Sequence, residues 1–434
     1  MRLLSSLTRT QKESIGLLQI GTFLEYFDLM LYVHMAVLLN ELFFPKTDPQ
    51  TAALLSALAF SSTYFLRPVG ALIFGWIGDN VGRKATVILT TLLMSISCMI
   101  MANIPTYAQV GITAAWIVTF CRVIQGLSSM GEIVGAEIYL TETIKEPSRY
   151  PAVGLIACSA TVGSLFALFI ASLAISACFN WRAAFWIGAC IAVVGSIART
   201  RLRETPEFIN AKKRLKAGEN RNNLLDDQNE SFNLKTILAC FLIQSGYPVS
   251  FFLTYIYCGD ILKNIFEYSP EQVIHNNLMV ALVELIGYLV CVYICCKIHP
   301  LKILRTKVYM ALPFFLALPI CLQAIDSPNI LFCLQLICIL LSLTDFPATA
   351  VYYKYFPTLR RFTYTVFIFA LSRAVMYTMT SFLLVYLTNK LGHMGLWLIL
   401  LPVIYGFSWG IRYFEKLEFS NKSYNVIDKQ KITA

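Results

Sequence analysis

Runs of about twenty mostly apolar residues return again and again along this chain, and each is the length a helix needs to cross a bilayer. They fall at 15–39, 53–77, 85–103, 110–134, 152–176, 183–200, 237–258, 274–296, 307–323, 329–350, 363–387 and 394–413. Twelve such runs in 434 residues leave little chain for anything else. Only 14% of residues are charged and 57% are hydrophobic, whereas soluble domains carry about 25% charge. The natural solvent of this chain is lipid, and the expected fold is an all-α membrane protein of twelve transmembrane helices. Residues 1–13 are short and polar, and the first apolar run carries acids and lacks a small-residue cleavage site, so the first span itself is expected to direct insertion.

The basic residues set the orientation. With the N-terminus placed in the cytoplasm, 28 of the 35 Lys and Arg fall in cytoplasmic segments. Only Lys46, Arg182, Lys263 and Lys390 fall on the other side. This asymmetry predicts that both termini are cytoplasmic. It also accounts for the net charge of +10 without a nucleic-acid partner. One connection is long: residues 201–235, charged and Asn-rich, divide the chain into six spans and six. The expected organisation is an N-terminal six-helix bundle (1–200), a cytoplasmic linker (201–235) whose PEFINAKKRLKAGEN segment has helix-forming composition, a C-terminal six-helix bundle (236–414) and a cytoplasmic tail (415–434).

The stretch GWIGDNVGRK, Gly75 to Lys84, interrupts two apolar runs with glycines, an acid and two bases. Gly75 and Gly82 permit close approach and a tight turn. Asp79 can accept from a neighbouring helix N-terminus or from an arginine, and Arg83 and Lys84 complete the group. Contacts of this kind exist in one conformation and break in another, so the stretch reads as a cytoplasmic latch; the plainer reading is that Arg83 and Lys84 only orient the helices.

The pattern G-x-x-x-D-x-x-G-R-K resembles the signature between spans 2 and 3 of the major facilitator superfamily. LEYFDLMLY in span 1, FLRPVGALIFGWIGDNVGRK through span 2, RVIQGLSSMGE in span 4, WRAAF and LRETPEF resemble its metabolite:proton symporters. Members of that subfamily carry proline and betaine, citrate, α-ketoglutarate or shikimate, and the proline/betaine branch is the most similar. The resemblance implies two six-helix bundles rocking about a central site, secondary transport by one copy of the chain, and no enzymatic activity. The second half is less similar: KYFPTLRRFTYTVFIFALSRA keeps the F-P-T and the bases but lacks a glycine-rich start to span 11.

Ionisable residues within spans are costly and mark function. Glu25, Asp28, Arg67, Arg122, Glu284 and Arg373 all fall near mid-span, with Asp345 in span 10. Glu25 and Asp28 are three apart, so they share a helix face with Tyr32. Such a pair can share a proton and exchange it for Arg67 or Arg122; equally, the four can form a permanent salt bridge. Arg122, Gln125, Ser129 and Glu132 form one polar stripe. The planar fork of Arg122 suits a carboxylate, and Glu132 is a proton-coupling or gate candidate. Tyr26, Phe27 and Tyr32 are aromatic candidates for a quaternary amine. Glu284 and Arg373 are candidate site residues of the second half.

The thirteen Cys lie in apolar runs without ligand spacing, so neither metal nor cofactor is expected. No phosphate-binding loop, H-E-x-x-H or G-x-S-x-G occurs, which disfavours a primary transporter or an enzyme. The leading expectation is proton-coupled symport of a small carboxylated solute of the proline/betaine type. A di- or tricarboxylate symporter and a transporter-like sensor are the alternatives.

Overall fold

The computed structural model describes residues 7–44, 49–175, 180–217 and 233–432, and these residues are almost entirely helical. The first half contains α1 (Arg9–Phe43), α2 (Pro49–Asn80), α3 (Arg83–Asn103), α4 (Ile112–Ser128), α5 (Ile133–Thr143), α6 (Arg149–Ile175) and α7 (Trp181–Arg199). Then comes α8 (Pro206–Lys216), in the linker segment where helix was expected, with Pro206 in its first turn. The rest of the linker, 218–232, lies outside the described residues. The second half opens with α9 (Leu234–Gln244), which runs on through Gly246–Phe251, a π-helical turn at Phe252–Tyr257 and Cys258–Asn264. It continues with α10 (Pro270–Cys295), α11 (Pro300–Gln323), α12 (Pro328–Leu340), α13 (Thr349–Tyr353), α14 (Arg361–Leu391) and α15 (Trp397–Ile432). Among the described residues, seven helical stretches are long and apolar enough to cross a membrane.

Two spans expected to be continuous are broken. Span 4 stops at Ser128, passes through a 3-10 turn at Ser129–Gly131 and restarts as α5 at Ile133. Span 10 stops at Leu340 and resumes at Thr349. Pro347 explains the second break, because it donates no N–H and disfavours helix at Phe346. Thr344 adds to it: its Oγ1 accepts from Phe346 N–H at 3.2 Å, a local bond that competes with the helix. The two breaks stand at corresponding places, the fourth run of each six. Span 4 also runs further than hydropathy indicates, to Thr143, and the last helix continues past 413 to Ile432, so the segment expected as a separate tail is a helical extension.

The halves meet along two helix pairs, α2 against α14 and α6 against α10. Within the first half, α1 packs on α6 and α3 on α7. Large apolar side chains such as Trp116, Phe120, Phe382 and Tyr405 remain exposed on the outside, as expected of a surface that meets lipid.

Candidate functional site: a clamp below an aromatic cavity

The sequence stretch 75–84 joins α2 to α3 and touches the second half directly. At Gly75 the helices come close: a Cβ there would lie 2.8 Å from Thr363 Cα. Gly82 turns the chain at φ +147°, a conformation that favours glycine. Asp79, buried, accepts from the N–H groups of Phe362 (3.1 Å) and Thr363 (2.9 Å), the first turn of α14. A carboxylate of one half thus caps a helix of the other.

Arg83 is wholly buried. It donates to Gly78 O, to Asp79 at 3.3 Å, to both oxygens of Glu142, and across to Thr358 O at 2.6 Å. Arg361 returns the contact, pairing with Glu142 at 3.1 Å and Glu207 at 2.7 Å. Glu142, on α5, therefore carries an arginine from each half. Lys84 joins only through its backbone N–H, which with that of Arg83 donates to Glu204. A second arm ties Lys354 to Glu146 (3.1 Å) and Glu418 (2.6 Å). Burial pushes the Glu146 carboxyl up, but the Lys354 ammonium outweighs it and holds the group below the ordinary glutamate range.

Above the clamp lies a cavity of about 130 Å³ between the halves, room for several waters. Its walls are aromatic: Tyr26 and Tyr64 from the first half face Tyr247, Phe251, Tyr255 and Tyr288 from the second. Rings of Tyr247, Phe251 and Tyr255 follow one another at 6.1 and 5.0 Å. Arg373 stands among them with its guanidinium 3.4 Å over the Phe369 ring, and its Nη1 is buried without a hydrogen-bond partner. Three carboxylates also line the space: Glu137, Glu284 and Asp345. Glu284 accepts from Tyr255 (2.8 Å) and Tyr288 (3.1 Å). Arg67 reaches a small side pocket beside Tyr26 and Arg373.

The remaining expected residues lie elsewhere. Asp28 pairs with Arg122 at 3.5 Å and accepts from Gln125 at 2.9 Å; Arg122 donates to Gln125 and stacks over Tyr32 at 3.9 Å. This cluster sits within the first half and does not line the cavity, so the structure does not bring Arg122, Gln125 or Tyr32 to a solute there. Glu25 and Asp28 share a face but not a partner. Glu25 accepts from the N–H of Ile133 at 3.2 Å, an amide freed by the break before α5. Glu132 is bound to Arg199 at 2.5 Å and to the hydroxyls of Thr90 and Thr91 at 2.8 Å each. Phe27 is core, stacked on Phe23.

A model of the family described as "Sugar (and other) transporter" matches residues 17–237, just over half of the chain. The chain belongs to this transporter family. It is a multi-pass membrane protein, and its family consists of transporters, not enzymes. The chain is 28% identical over 292 residues to the proline/betaine transporter of Salmonella typhimurium, a match covering 64% of this chain and 57% of that protein. It is 35% identical over 213 residues to the inner membrane metabolite transport protein YhjE of Escherichia coli, covering 45% of this chain and 47% of that one. The chain thus spans under two thirds of the length of these relatives. In three dimensions it is similar to the proton:xylose symporter XylE, with a TM-score of 0.75 at 14% identity over 94% of this chain and 95% of that chain. FucP in its outward conformation gives 0.67 at 14% identity, covering 94% and 99%. Identity this low shows the major facilitator fold alone.

Several residues of this candidate site are not evident from the sequence. Glu137 and Glu142 lay beyond the assumed end of span 4, and Arg199 stood at the edge of span 6 among the linker bases. The signal available for the first two was their spacing: 132, 137 and 142 place acids down one continuing helix.

Proposed function

We propose that this protein is a proton-coupled symporter of a small zwitterionic or carboxylated solute, with proline/betaine-type osmolytes favoured. The observation that carries the reading is Arg373. A buried guanidinium N–H without a partner, in a cavity walled by tyrosines, is set to receive a carboxylate. The aromatic faces opposite suit a quaternary or secondary ammonium on the same solute. Three carboxylates in the same lining oppose a second or third negative charge, which weighs against citrate and α-ketoglutarate.

The reading includes twelve spans in two six-helix bundles with cytoplasmic termini, so the clamp closes the cytoplasmic end. Solute enters from outside, and the clamp must part to release it inside. The proton carrier of the first half is Asp28: protonation frees it from Arg122, and the change biases the bundle between two states. Uptake into proteoliposomes of proline, betaine, citrate, α-ketoglutarate and shikimate, with and without an inward proton gradient, tests this. Gradient-driven accumulation of proline or betaine is expected. Accumulation of citrate alone, or uptake indifferent to the gradient, refutes it.

A further inference from the structure

The two helix breaks bring one carboxylate from each half into the lining of the same cavity. Glu137 lies one turn into α5, past the first break, and Asp345 lies within the second. Both line the same cavity and both are buried, at 6% and 8% exposure. Among the described residues, neither has a basic partner within 4 Å. Tyr353 Oη, from the second half, donates to Glu137 Oε2 at 3.1 Å, and Thr344 Oγ1 donates weakly to Asp345 Oδ1 at 3.5 Å.

The cavity they line also holds Glu284, bonded to Tyr255 and Tyr288, with Tyr26, Tyr64 and Tyr247. Asp345, Arg373 and Glu25 act on Glu137, with Tyr353 bonded to it. Arg373 acts on Asp345, and Tyr352, Tyr353 and Cys240 lie around it. Arg373 is a cation whose field reaches both acids, and among the described residues its own Nη1 has no hydrogen-bond partner.

Two buried carboxylates lining one low-dielectric space oppose each other's ionisation unless a cation compensates them both. We infer that Glu137 and Asp345 share a single proton across the two halves, and that a solute carboxylate on Arg373 tightens that proton. The linkage is electrostatic. A carboxylate paired with Arg373 cancels the positive field that favours ionised acids, so the pair holds the proton more firmly while solute is bound. When the clamp parts, the halves separate, water reaches each acid, and the proton leaves with the solute. The proton is bound and released as H⁺, with no bond made to the solute. This site rests on the transport reading, and it is distinct from Asp28, which pairs with Arg122 at 3.5 Å inside one bundle.

The test has an arm that needs no known solute. Infrared difference spectra of the purified full-length protein at neutral pH, recorded in H₂O and D₂O, report protonated carboxyl groups. A shared proton predicts that Glu137→Gln and Asp345→Asn each remove the same single carboxyl band, and that the double variant removes nothing more. Loss of two separate bands in the double variant, or of none in either single variant, overturns the inference. In the transport arm, betaine added to weakly buffered protein should take up protons from solution in the wild type. Either variant, and Arg373→Gln, should abolish that uptake. Stimulation by Na⁺ in place of protons also overturns it. Should no solute be transported at all, the functional reading fails, while the infrared result still decides the proton pair.

Discussion

Replacing Asp79 should loosen the clamp by an amount that can be worked from its contacts. Its carboxylate accepts the N–H groups of Phe362 and Thr363 and touches Arg83. The two backbone bonds cross between α2 and α14, so they exist only while these helix ends meet, and their loss falls on the clamped state alone. Removing a helix cap costs about 1 kcal/mol, and a partly buried charge at a helix N-terminus is worth up to ~2 kcal/mol more. Asp79→Ala should therefore cost the clamped state roughly 2–3 kcal/mol, about a 30- to 150-fold shift toward the open form. Asp79→Asn keeps one carbonyl acceptor and should cost roughly 1–1.4 kcal/mol, about five- to tenfold. The assay is maleimide labelling of Thr358→Cys in a cysteine-free background, since Thr358 is buried within the clamp and its labelling rate follows the fraction unclamped. Labelling rates equal to wild type in both variants would refute the reasoning and leave Asp79 a passive neighbour of Arg83.

Other consequences can be checked with the same protein. Gly75→Ala puts a Cβ 2.8 Å from Thr363 Cα; overpacking of ~1–3 kcal/mol should raise the same labelling rate. Arg199→Met strands Glu132 in the first bundle and should cost ~3–5 kcal/mol, seen as a lower unfolding temperature in detergent, with Glu132→Gln in the same chain recovering much of the loss. Asp28→Asn should abolish uphill uptake while leaving solute exchange, measured as counterflow in proteoliposomes. Glu146→Gln should raise clamp labelling by less than about fivefold, because a third of that side chain is exposed. The pH dependence follows from the lowered value of Glu146: its contribution is fully present above the ordinary glutamate range, about 4.3, and is lost only as pH falls through the lowered value. The effect of Glu146→Gln should therefore be the same at about pH 5 and pH 7.

Much of this architecture is legible in the sequence, but the backbone breaks are not. A count of apolar residues sees SSMGE and LSLTDFPA as parts of hydrophobic runs. Hydropathy carries no information on where N–H groups lose their partners, and Pro347 is the lone local hint. The same count ended span 4 at residue 134 because acids follow. Those acids are held inside by Arg83, Arg361 and Tyr353, partners distant in sequence. Glu25 and Asp28 were read as a pair because spacing fixes a shared face; what each one touches depends on α4 and α5, which spacing cannot supply. The bases at 83 and 361 were legible as orientation signals, whereas their burial was not, since loop arginines usually remain in water.

The π-helical turn at Phe252–Tyr257 sets the phase of one cavity wall. In an α-helix a step of four residues turns through about 400°, overshooting one revolution by about 40°. Two such steps would carry Tyr255 about 80° away from Tyr247. The wider π turn, at roughly 4.4 residues per turn, makes the step from Phe251 to Tyr255 fall short by about 30° and cancels most of the drift. Tyr247, Phe251 and Tyr255 therefore line up as one rail instead of spiralling off the cavity. Length and angle are exchangeable here: deleting a single residue from 252–257 and restoring α geometry replaces about 490° over six residues with about 500° over five, so the helix beyond keeps its direction, Tyr257 included with its 2.6 Å bond to His393 Nδ1. For this stretch the extra residue is absorbed by the winding: removing it would re-aim the side chains within the turn and leave those beyond it in place.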